Sequence, residues 1–377
     1  MTATLLRLSQ RRSPSLVTEY RQDVRLFPSR LRKLGVIALL LLWLFLPFQA
    51  DDFWLSVCNY IAVVAIGGIG LNLLTGYTGQ VSLGQAFFMA CGAFTAAFLG
   101  SKHGWPFLAW MLAAAVIGGL IGALIGPLAL RLQGNYLAIV TLGLLFVGDH
   151  VFTNWTTVTG GGRGVNVRAS MAIGPVDFAD LDLFGQRYSR SQGLFWLMWI
   201  IVAIVALIAK NVVRSRPGRA MQAVRDRDIA AEVVGISLVR YKVGAFALSS
   251  ALAAVSGALY AAVVQQFVSP AEFGGTLGLV LSIQFIAVII IGGIGTIYGS
   301  ILGAIVVGGL PRVIDKYSGS LPFLSSGPGD DGLLSVAAFN NILFGVLVIV
   351  FLLAEPLGLA AFWRRLTVYF KTWPFSY

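Results

Sequence analysis

Residues 53–75, FWLSVCNYIAVVAIGGIGLNLLT, form an apolar run without a charged residue. A run of about twenty such residues matches the hydrocarbon thickness of a bilayer when it folds as a helix. The whole chain shares this character, because 57% of its 377 residues are hydrophobic and only 11% are charged. That balance lies far outside the range of soluble domains. The sequence therefore predicts an integral membrane protein, and it excludes a nucleic-acid-binding protein or a separate soluble catalytic domain.

Further apolar runs extend this prediction to an all-α membrane protein, a polytopic bundle of about ten transmembrane helices. The predicted spans are 34–50, 53–75, 80–100, 105–130, 136–154, 194–210, 243–264, 279–296, 298–313 and 337–354.

The charged residues predict which side each loop occupies. With the N-terminus inside, the cytoplasmic segments hold 20 of the 27 basic residues and only six acids, whereas the other side holds seven basic and ten acidic residues. Cytoplasmic loops of membrane proteins carry such an excess of Lys and Arg. We therefore expect both termini in the cytoplasm. The predicted organisation is a basic N-terminal arm (1–33), a transmembrane domain (34–354) with an external loop (155–193) and a cytoplasmic loop (210–242), and a cytoplasmic tail (355–377).

No arrangement of side chains predicts catalysis or metal binding. Cys58 and Cys91 lie in separate apolar runs, and His103 and His150 lack a second ligand at metal-binding spacing. The chain also lacks a GxxxxGK[ST] phosphate loop. We expect no enzyme activity, no metal and no cofactor bound by this chain.

A polar, glycine-rich segment, GYTGQVSLGQ at 76–85, interrupts the apolar pattern. Backbone that leaves the helix at membrane depth must be buried in protein or line a wet cavity. Two interpretations are open: a translocation path, or a tight cytoplasmic hairpin with ordinary interhelical hydrogen bonds. The candidate path residues are Asn72, Gly76, Gly79, Gln80, Ser82, Gly84, Gln85 and Gln284. Asp149, near the external end of its span, is a candidate partner for an α-ammonium group, with simple interfacial exposure as the alternative.

The loop from Lys210 to Lys242 is long enough to fold. Pro217 suits the first position of a helix and Gly235 suits a left-handed cap. We therefore predict a short amphipathic helix over 218–234, whose small residues would seat in a groove on another protein. The alternative is a basic helix on anionic lipid, although Asp226, Asp228 and Glu232 do not suit a lipid-binding face.

Within this loop, Ala230-Ala231-Glu232-Val233-Val234-Gly235 resembles the coupling loop of ABC importer permeases. The longer stretch from Gly218 to Ile236 resembles the branched-chain amino acid permeases of the LivM type, and so do three other stretches in the same order: 75–84, 131–142 (RLQGNYLAIVTL) and 159–164 (TGGGRG). The resemblance covers residues 60–350. Urea-importing relatives share the same framework.

The resemblance implies a permease that works by alternating access, with a cytoplasmic coupling helix. The residues it implies for ATPase coupling are Gly218, Arg219, Ala223, Arg225, Asp226, Ala230, Ala231, Gly235 and Ile236. The implied partners are a second permease of similar fold, two ATP-binding subunits that hold ATP and magnesium, an external substrate-binding protein and membrane lipid. The implied location is the cytoplasmic (inner) membrane of a prokaryote.

Branched-chain or other hydrophobic amino acids are the substrates we expect from this resemblance, with urea or short amides as the alternative. A secondary transporter is disfavoured by the lack of ionisable residues at span centres. A channel would not need the folded 210–242 loop.

Overall fold

A computed structural model describes residues 30–130, 136–183, 186–318, 324–325, 334–354 and 357–372. The chain forms two units, Met1–Ala50 and Asp51–Tyr377. The first contributes one described helix, α1 (Arg30–Gln49), and everything below concerns the second. Most of the N-terminal arm and the start of the 131–142 motif lie outside the described residues.

Helices occupy all ten predicted spans, and the structure is that of a polytopic all-α membrane protein. The helices of the second unit are α2 (Asp52–Thr78), α3 (Gln85–Thr95, continued as a π-helix over Ala96–Lys102), α4 (Phe107–Leu130), α5 (Tyr136–Asn154), α6 (Arg190–Arg214), α7 (Arg216–Asp226), α8 (Asp228–Val233), α9 (Leu238–Leu259, continued as a π-helix over Tyr260–Gln265), α10 (Gly275–Gly292), α11 (Ile297–Tyr317), α12 (Val336–Ala354) and α13 (Gly358–Thr372). Among the described helices, seven are long and apolar enough to cross a membrane: α2, α4, α5, α6, α9 with its π-helical end, α10 and α11.

Helix α2 is the centre of the bundle, and glycines on it let its neighbours approach. It packs against α6, α9, α10 and α11. A side chain at Gly68 would press on Val288 of α10, and one at Gly70 would press on Leu252 of α9. Close approach at glycine is a common way to hold helices together in a membrane, where the hydrophobic effect does not drive helix association. Almost the whole of α2 is buried.

Helix α9 also packs closely at glycines, against α4 on one side and against α3 on another. Toward α4 it meets the stripe Gly118, Gly122 and Gly126, where added side chains would press on Ala254, Ser250 and Val243. The four-residue spacing of these glycines places them on one side of α4, where they allow α9 to approach. Toward α3 it forms a reciprocal contact: a Cβ at Gly92 would overlap the backbone of Ala254, and one at Gly257 would overlap the backbone of Met89.

Helix α3 is shorter than the predicted span 80–100, because the chain does not turn straight into a new helix after α2. It begins at Gln85, whose Nε2 donates to the carbonyl oxygen of Gly67 at 3.1 Å. Gly67 lies eleven residues before the end of α2 at Thr78, about 16 Å along a helix axis. Residues 79–84 therefore run back into the bundle without helical structure, and α3 starts inside it.

Two-residue strands occur outside the long helices. They are β1 (Val165–Asn166), β2 (Ala172–Ile173), β3 (Val176–Asp177), β4 (Asp182–Leu183), β5 (Gln186–Arg187), β6 (Phe267–Val268), β7 (Leu324–Ser325) and β8 (Leu334–Ser335). The pairs β2–β3 and β4–β5 are antiparallel neighbours, β7–β8 is parallel, and β1–β6 is antiparallel with Val165 opposite Val268. The β1–β6 pair ties the 155–193 segment to the turn after α9.

We predict that Gly92→Val destabilises the protein by at least about 3 kcal/mol, because the new side chain overlaps backbone atoms of α9 that cannot rotate away. The thermal unfolding midpoint of the detergent-solubilised protein measures this. Gly143→Val is the matched control, since Gly143 is an exposed helical glycine with no atom within 4 Å of an added Cβ. Equal midpoints for both variants would contradict the close packing of α3 on α9.

Candidate functional site

The 210–242 loop forms two helices instead of the single predicted helix over 218–234. Helix α7 ends at Asp226, Arg227 is extended (φ −156°, ψ 101°), and α8 follows from Asp228. Gly235 has φ +89°, as predicted for a left-handed cap. The N–H groups of Gly235 and Ile236 donate to the carbonyl oxygens of Glu232 and Ala231, both at 2.9 Å. This pattern is a Schellman motif, which fixes the end of α8.

The two helices present different faces to the rest of the chain. Helix α7 buries Ala220, Met221 and Val224. On α8 and its cap, by contrast, Ile229, Val233 and Val234 are 76%, 83% and 81% exposed. These three aliphatic side chains form one exposed apolar surface on a short segment.

The predicted small-residue face is therefore divided between two surfaces. Ala220 and Ala231 are buried within this chain, Ala223 is half-buried, and Ala230 and Val234 are exposed. Small residues seat these helices on the rest of the chain, and larger aliphatic residues face outward. The sequence prediction missed Ile229 and Val233, although a helical wheel restricted to residues 228–234 would have found them.

Three other residues implied for coupling make contacts within the loop or are partly buried. Gly218 is buried where a Cβ would overlap the carbonyl oxygens of Val212 and Val213. Arg219 Nη1 donates to the carbonyl oxygen of Arg214 at 3.0 Å. Ile236 is half-buried.

Arg225 connects α7 to the membrane helices. Its Nη1 donates to the carbonyl oxygen of Gly76 at 2.7 Å, while its Nε and Nη2 contact Asp226 Oδ1 at 3.1 Å. The carbonyl of Gly76 lies in the last turn of α2, where carbonyl groups lack helical partners. Gly79 follows with φ +71°, and a Cβ there would lie 3.2 Å from Arg225 Cγ. The guanidinium thus caps α2 at the point where the chain leaves the helix.

Asn72 joins the same end of α2 to the turn between α10 and α11. Its Nδ2 donates to the carbonyl oxygen of Thr296 and to the Ser300 hydroxyl, each at 2.8 Å, and its Oδ1 accepts from Gly295 N–H at 2.8 Å. Asn72 is buried. It therefore holds both sides of the 293–296 turn, and we name Asn72, Gly76, Arg225, Gly295 and Ser300 the junction.

The repeated pentapeptide IGGIG has two different conformations. The first copy, 66–70, lies inside α2, whereas the second, 291–295, ends α10 and enters a turn in which Gly293 and Gly295 have φ +119° and +78°. The two copies do not occupy equivalent positions in a helix. The repetition by itself therefore gives no structural support for an internal duplication.

The segment 79–84 buries Gln80, Ser82 and Gly84, and hydroxyl groups accept hydrogen bonds from its last residues and from the first turn of α3. Leu83 N–H donates to Thr141 Oγ1 at 2.9 Å, and Ala86 N–H donates to Ser282 Oγ at 3.1 Å. Gly84 N–H donates to Ser82 Oγ at 3.3 Å. Thr141 and Ser282 come from α5 and α10, and the sequence prediction missed both. No local signal distinguishes them from other hydroxyls in apolar helices.

All the candidate path residues except Gln284 lie at the end of α2, in the 79–84 segment or at the start of α3. Asn72, Ser82 and Gln85 make the hydrogen bonds described above, and Gly76, Gly79 and Gly84 give the close backbone approaches. Gln80 is buried, and its Oε1 has no hydrogen-bond partner. Gln284 lies apart from the 79–84 segment, beside Tyr60 at an enclosed space of about 10 Å³. A role of these residues in a path stays a prediction.

An apolar cavity of about 410 Å³ lies where α3, α4 and α5 meet the turn after α5, with Phe94, Ile117, Phe152 and Val158 in its wall. None of its lining residues is charged. No group of three or more His, Cys, Asp or Glu side chains able to hold a metal ion occurs within the described residues.

Comparison with known proteins gives one family. The family model described as the permease component of branched-chain amino acid transport systems matches residues 53–352. The high-affinity branched-chain amino acid transport system permease protein LivM of Escherichia coli (strain K12) is 32% identical over 73% of this chain and 67% of its own length. The fructose import permease protein FrcC of Rhizobium meliloti is 26% identical over 67% and 68% of the two chains. The LivH permease protein of Escherichia coli (strain K12), also from a branched-chain amino acid system, is 25% identical over 65% and 79%. No solved structure matches the chain significantly.

We predict that Asn72→Ala loosens the 293–296 turn, because three hydrogen bonds of a buried side chain are lost together. The expected cost is about 2 kcal/mol or more, which corresponds to at least about 30-fold faster amide exchange in that turn if exchange follows local opening. Hydrogen–deuterium exchange of the peptide covering 293–300 measures it. Asn154→Ala is the control, since Asn154 is exposed and bonds only to His150 of its own helix. Unchanged exchange in Asn72→Ala would show that the junction does not depend on this side chain.

Proposed function

The chain belongs to the family of permease components of branched-chain amino acid transport systems, and we propose that it is the membrane permease of an ATP-driven importer that moves branched-chain or other hydrophobic amino acids inward by alternating access. The observation that carries the proposal is the junction: one helix of a loop with an exposed apolar partner surface contacts the end of the central membrane helix. A channel has no need of such a link.

The proposed orientation places the 210–242 loop in the cytoplasm and the 155–193 segment outside. The distribution of Lys and Arg supports it, since the predicted inside segments carry net +14 and the outside segments net −3. In this arrangement ten helices cross the membrane and both termini are cytoplasmic. The membrane is the inner membrane of a prokaryote.

Helices α7 and α8 form the coupling element in this proposal. The exposed Ile229, Val233 and Val234 bind an apolar groove on an ATP-binding subunit, in the way that amphipathic helices seat in grooves. ATP and magnesium are held by that subunit, because the chain has no phosphate loop of its own. Movement of the groove then carries α8 with it, and the fixed cap at Gly235 keeps the short helix intact.

Arg225 passes that movement to the membrane helices. It connects α7 to Gly76 at the end of α2, where residues 79–84 begin their course into the bundle. Asn72 links the same point to the turn between α10 and α11. A shift of α7 therefore displaces two helix ends and the interior segment together. Discrete rearrangement of packed elements of this kind is how binding energy changes a transporter between states.

A second permease of similar fold completes the translocation path, and an external binding protein delivers the substrate. Escherichia coli has two permease proteins named for branched-chain amino acid transport, LivM and LivH, and both resemble this chain. That supports a core of two different permeases. Amino acids are favoured over sugars because the identity to LivM, 32%, exceeds that to the fructose permease, 26%, over a larger share of this chain. Urea and short amides remain the alternative substrates.

We expect Val233→Glu to release the ATP-binding subunits, because an exposed valine in the contact is replaced by a carboxylate that cannot pair in an apolar groove. A cost of about 2 kcal/mol corresponds to about 30-fold weaker binding. Arg225→Gln is expected to retain the ATPase but to lose most substrate uptake, since it removes the link to Gly76 and the contact with Asp226 but keeps the exposed aliphatic residues of α8. Co-purification from native membranes and uptake into proteoliposomes measure the two effects.

Val176→Glu is the matched control for the release, since Val176 is an exposed valine at the opposite end of the bundle. Loss of the ATPase in all three variants would indicate misfolding. Retention of the ATPase together with wild-type uptake in both Val233→Glu and Arg225→Gln would refute the coupling role of the loop.

The substrate prediction is tested with the full assembly, its binding protein and ATP in proteoliposomes. We expect saturable uptake of labelled leucine, isoleucine and valine that depends on ATP, and no uptake of urea. Uptake of urea without amino acids would overturn the substrate assignment and leave the coupling proposal standing.

A further inference from the structure

Two residues of opposite charge lie around the rings of Tyr60, Tyr260 and Phe273, at the end of the bundle that holds the 155–193 segment. Arg312 on α11 lies over the ring of Tyr60, 4.0 Å from guanidinium carbon to ring centre. Glu272 lies in the four-residue helix Pro270–Phe273, and its Oε2 is buried without a hydrogen-bond partner. Neither residue forms an ion pair within the part of the chain that the structure describes.

The rings of Tyr60 and Tyr260 lie between Arg312 and the helix that carries Glu272. Their ring centres are 6.3 Å from each other, and that of Tyr260 is 6.1 Å from Phe273, the neighbour of Glu272. Arg312 lies over the Tyr60 ring, and Glu272 is the chain neighbour of Phe273, which contacts the Tyr260 ring. The two charges therefore border the same aromatic cluster, and no ion pair joins them.

The backbone around Glu272 departs from regular structure. Residues Tyr260–Gln265 form a π-helix, and Gln266 has φ +57°, the sole positive value for a non-glycine residue among those described. Such turns and left-handed residues recur at functional sites, where the fold maintains an unfavourable conformation. Burial also raises the pKa of the Glu272 carboxyl, and hydrogen bonds from Gln265 and Ser269 only partly oppose it. A cation at this place would relieve that cost.

Resting on the proposed function, we propose that Arg312 and Glu272 bind the charged end of an α-amino acid as it enters the permease. The planar guanidinium of Arg312 binds the α-carboxylate, and the free Oε2 of Glu272 accepts from the α-ammonium group. An α-amino acid carries both charges on one carbon, so its two charged groups can bind the two side chains that border the Tyr60–Tyr260 pair. Urea has neither charge and gains nothing from this pair.

The wall below Tyr60 suits an aliphatic side chain. Tyr60 borders the enclosed space of about 10 Å³, whose lining includes Val64, Leu281, Phe285 and Val288. That space holds at most about one water molecule, so the helices must separate before a leucine side chain enters. A substrate held by its charged end at Arg312 and Glu272 would have its side chain beside this wall when the path opens.

Equilibrium binding to the complete assembly in nanodiscs, without the binding protein, tests the site. The probe is labelled leucine, and the competitors are leucinamide, which lacks the carboxylate, and 4-methylpentanoate, which lacks the ammonium group. We expect the wild type to prefer leucine over each competitor by at least about tenfold, as loss of a charge-assisted hydrogen bond implies. Arg312→Gln should lose only the preference over leucinamide, and Glu272→Gln only the preference over 4-methylpentanoate. A merely structural role would not produce this crossed pattern.

Two controls complete the experiment. Lys316→Gln removes the next cation along α11, which lies over Phe53 at 4.1 Å, and should leave leucine binding within about twofold of wild type. Asp149→Asn removes the carboxylate that lies against Gly274 and should leave the preference over 4-methylpentanoate intact. If Arg312→Gln fails to assemble, Arg312→Lys replaces it and should keep a reduced preference over leucinamide.

Unchanged discrimination in both Arg312→Gln and Glu272→Gln, or no leucine binding by the wild type at millimolar concentration, would overturn the site. Loss of discrimination in Asp149→Asn instead of Glu272→Gln would overturn the assignment of Glu272. If the wild-type assembly imports leucine while the site fails these tests, the proposed function survives. If it imports only urea, the proposed function itself fails.

Discussion

Backbone that leaves a helix inside a membrane protein must find its hydrogen bonds within the protein, because lipid offers none. Residues 79–84 impose this constraint here. Within the segment, Leu83 N–H donates to Thr141 of α5 and Gly84 N–H donates to Ser82. Just after it, Ala86 N–H in the first turn of α3 donates to Ser282 of α10. The position of α5 and α10 around α3 is thereby fixed by polar contacts as well as by packing. A change in the position of the segment must break or exchange these bonds.

The same segment begins where the cytoplasmic loop meets the bundle. The last turn of α2 has free carbonyl groups, and Arg225 occupies one of them at Gly76. Asn72, one turn earlier, binds the turn that separates α10 from α11. A single helix end thus receives contacts from the loop, from a distant turn and from the interior segment. Under the proposed coupling, a displacement of the loop reaches the bundle at this helix end.

Glycine determines how closely these parts pack. At Gly92 and Gly257 the backbones of α3 and α9 are so close that no side chain fits, and at Gly76 the backbone of α2 meets Gly295. Close contact of this kind gives strong dispersion between helices. It also makes the packing sensitive to substitution at these glycines, because an added methyl group would overlap backbone atoms of the neighbouring element.

The sequence by itself determined the membrane class, the approximate positions of the long apolar helices and the left-handed cap at Gly235. Each of these depends on local properties: apolar length and the conformational freedom of glycine. Only the tertiary structure decided where the helix after Gly79 begins, which alanines of the loop are buried, and which polar groups meet at the junction and beside Arg312. Those outcomes depend on contacts between residues far apart in the chain, such as Asn72 with Ser300 and Leu83 with Thr141. A hydroxyl or an arginine in an apolar helix has the same local pattern whether it satisfies a neighbour or stays unpaired, so the physical distinction appears only when the helices pack.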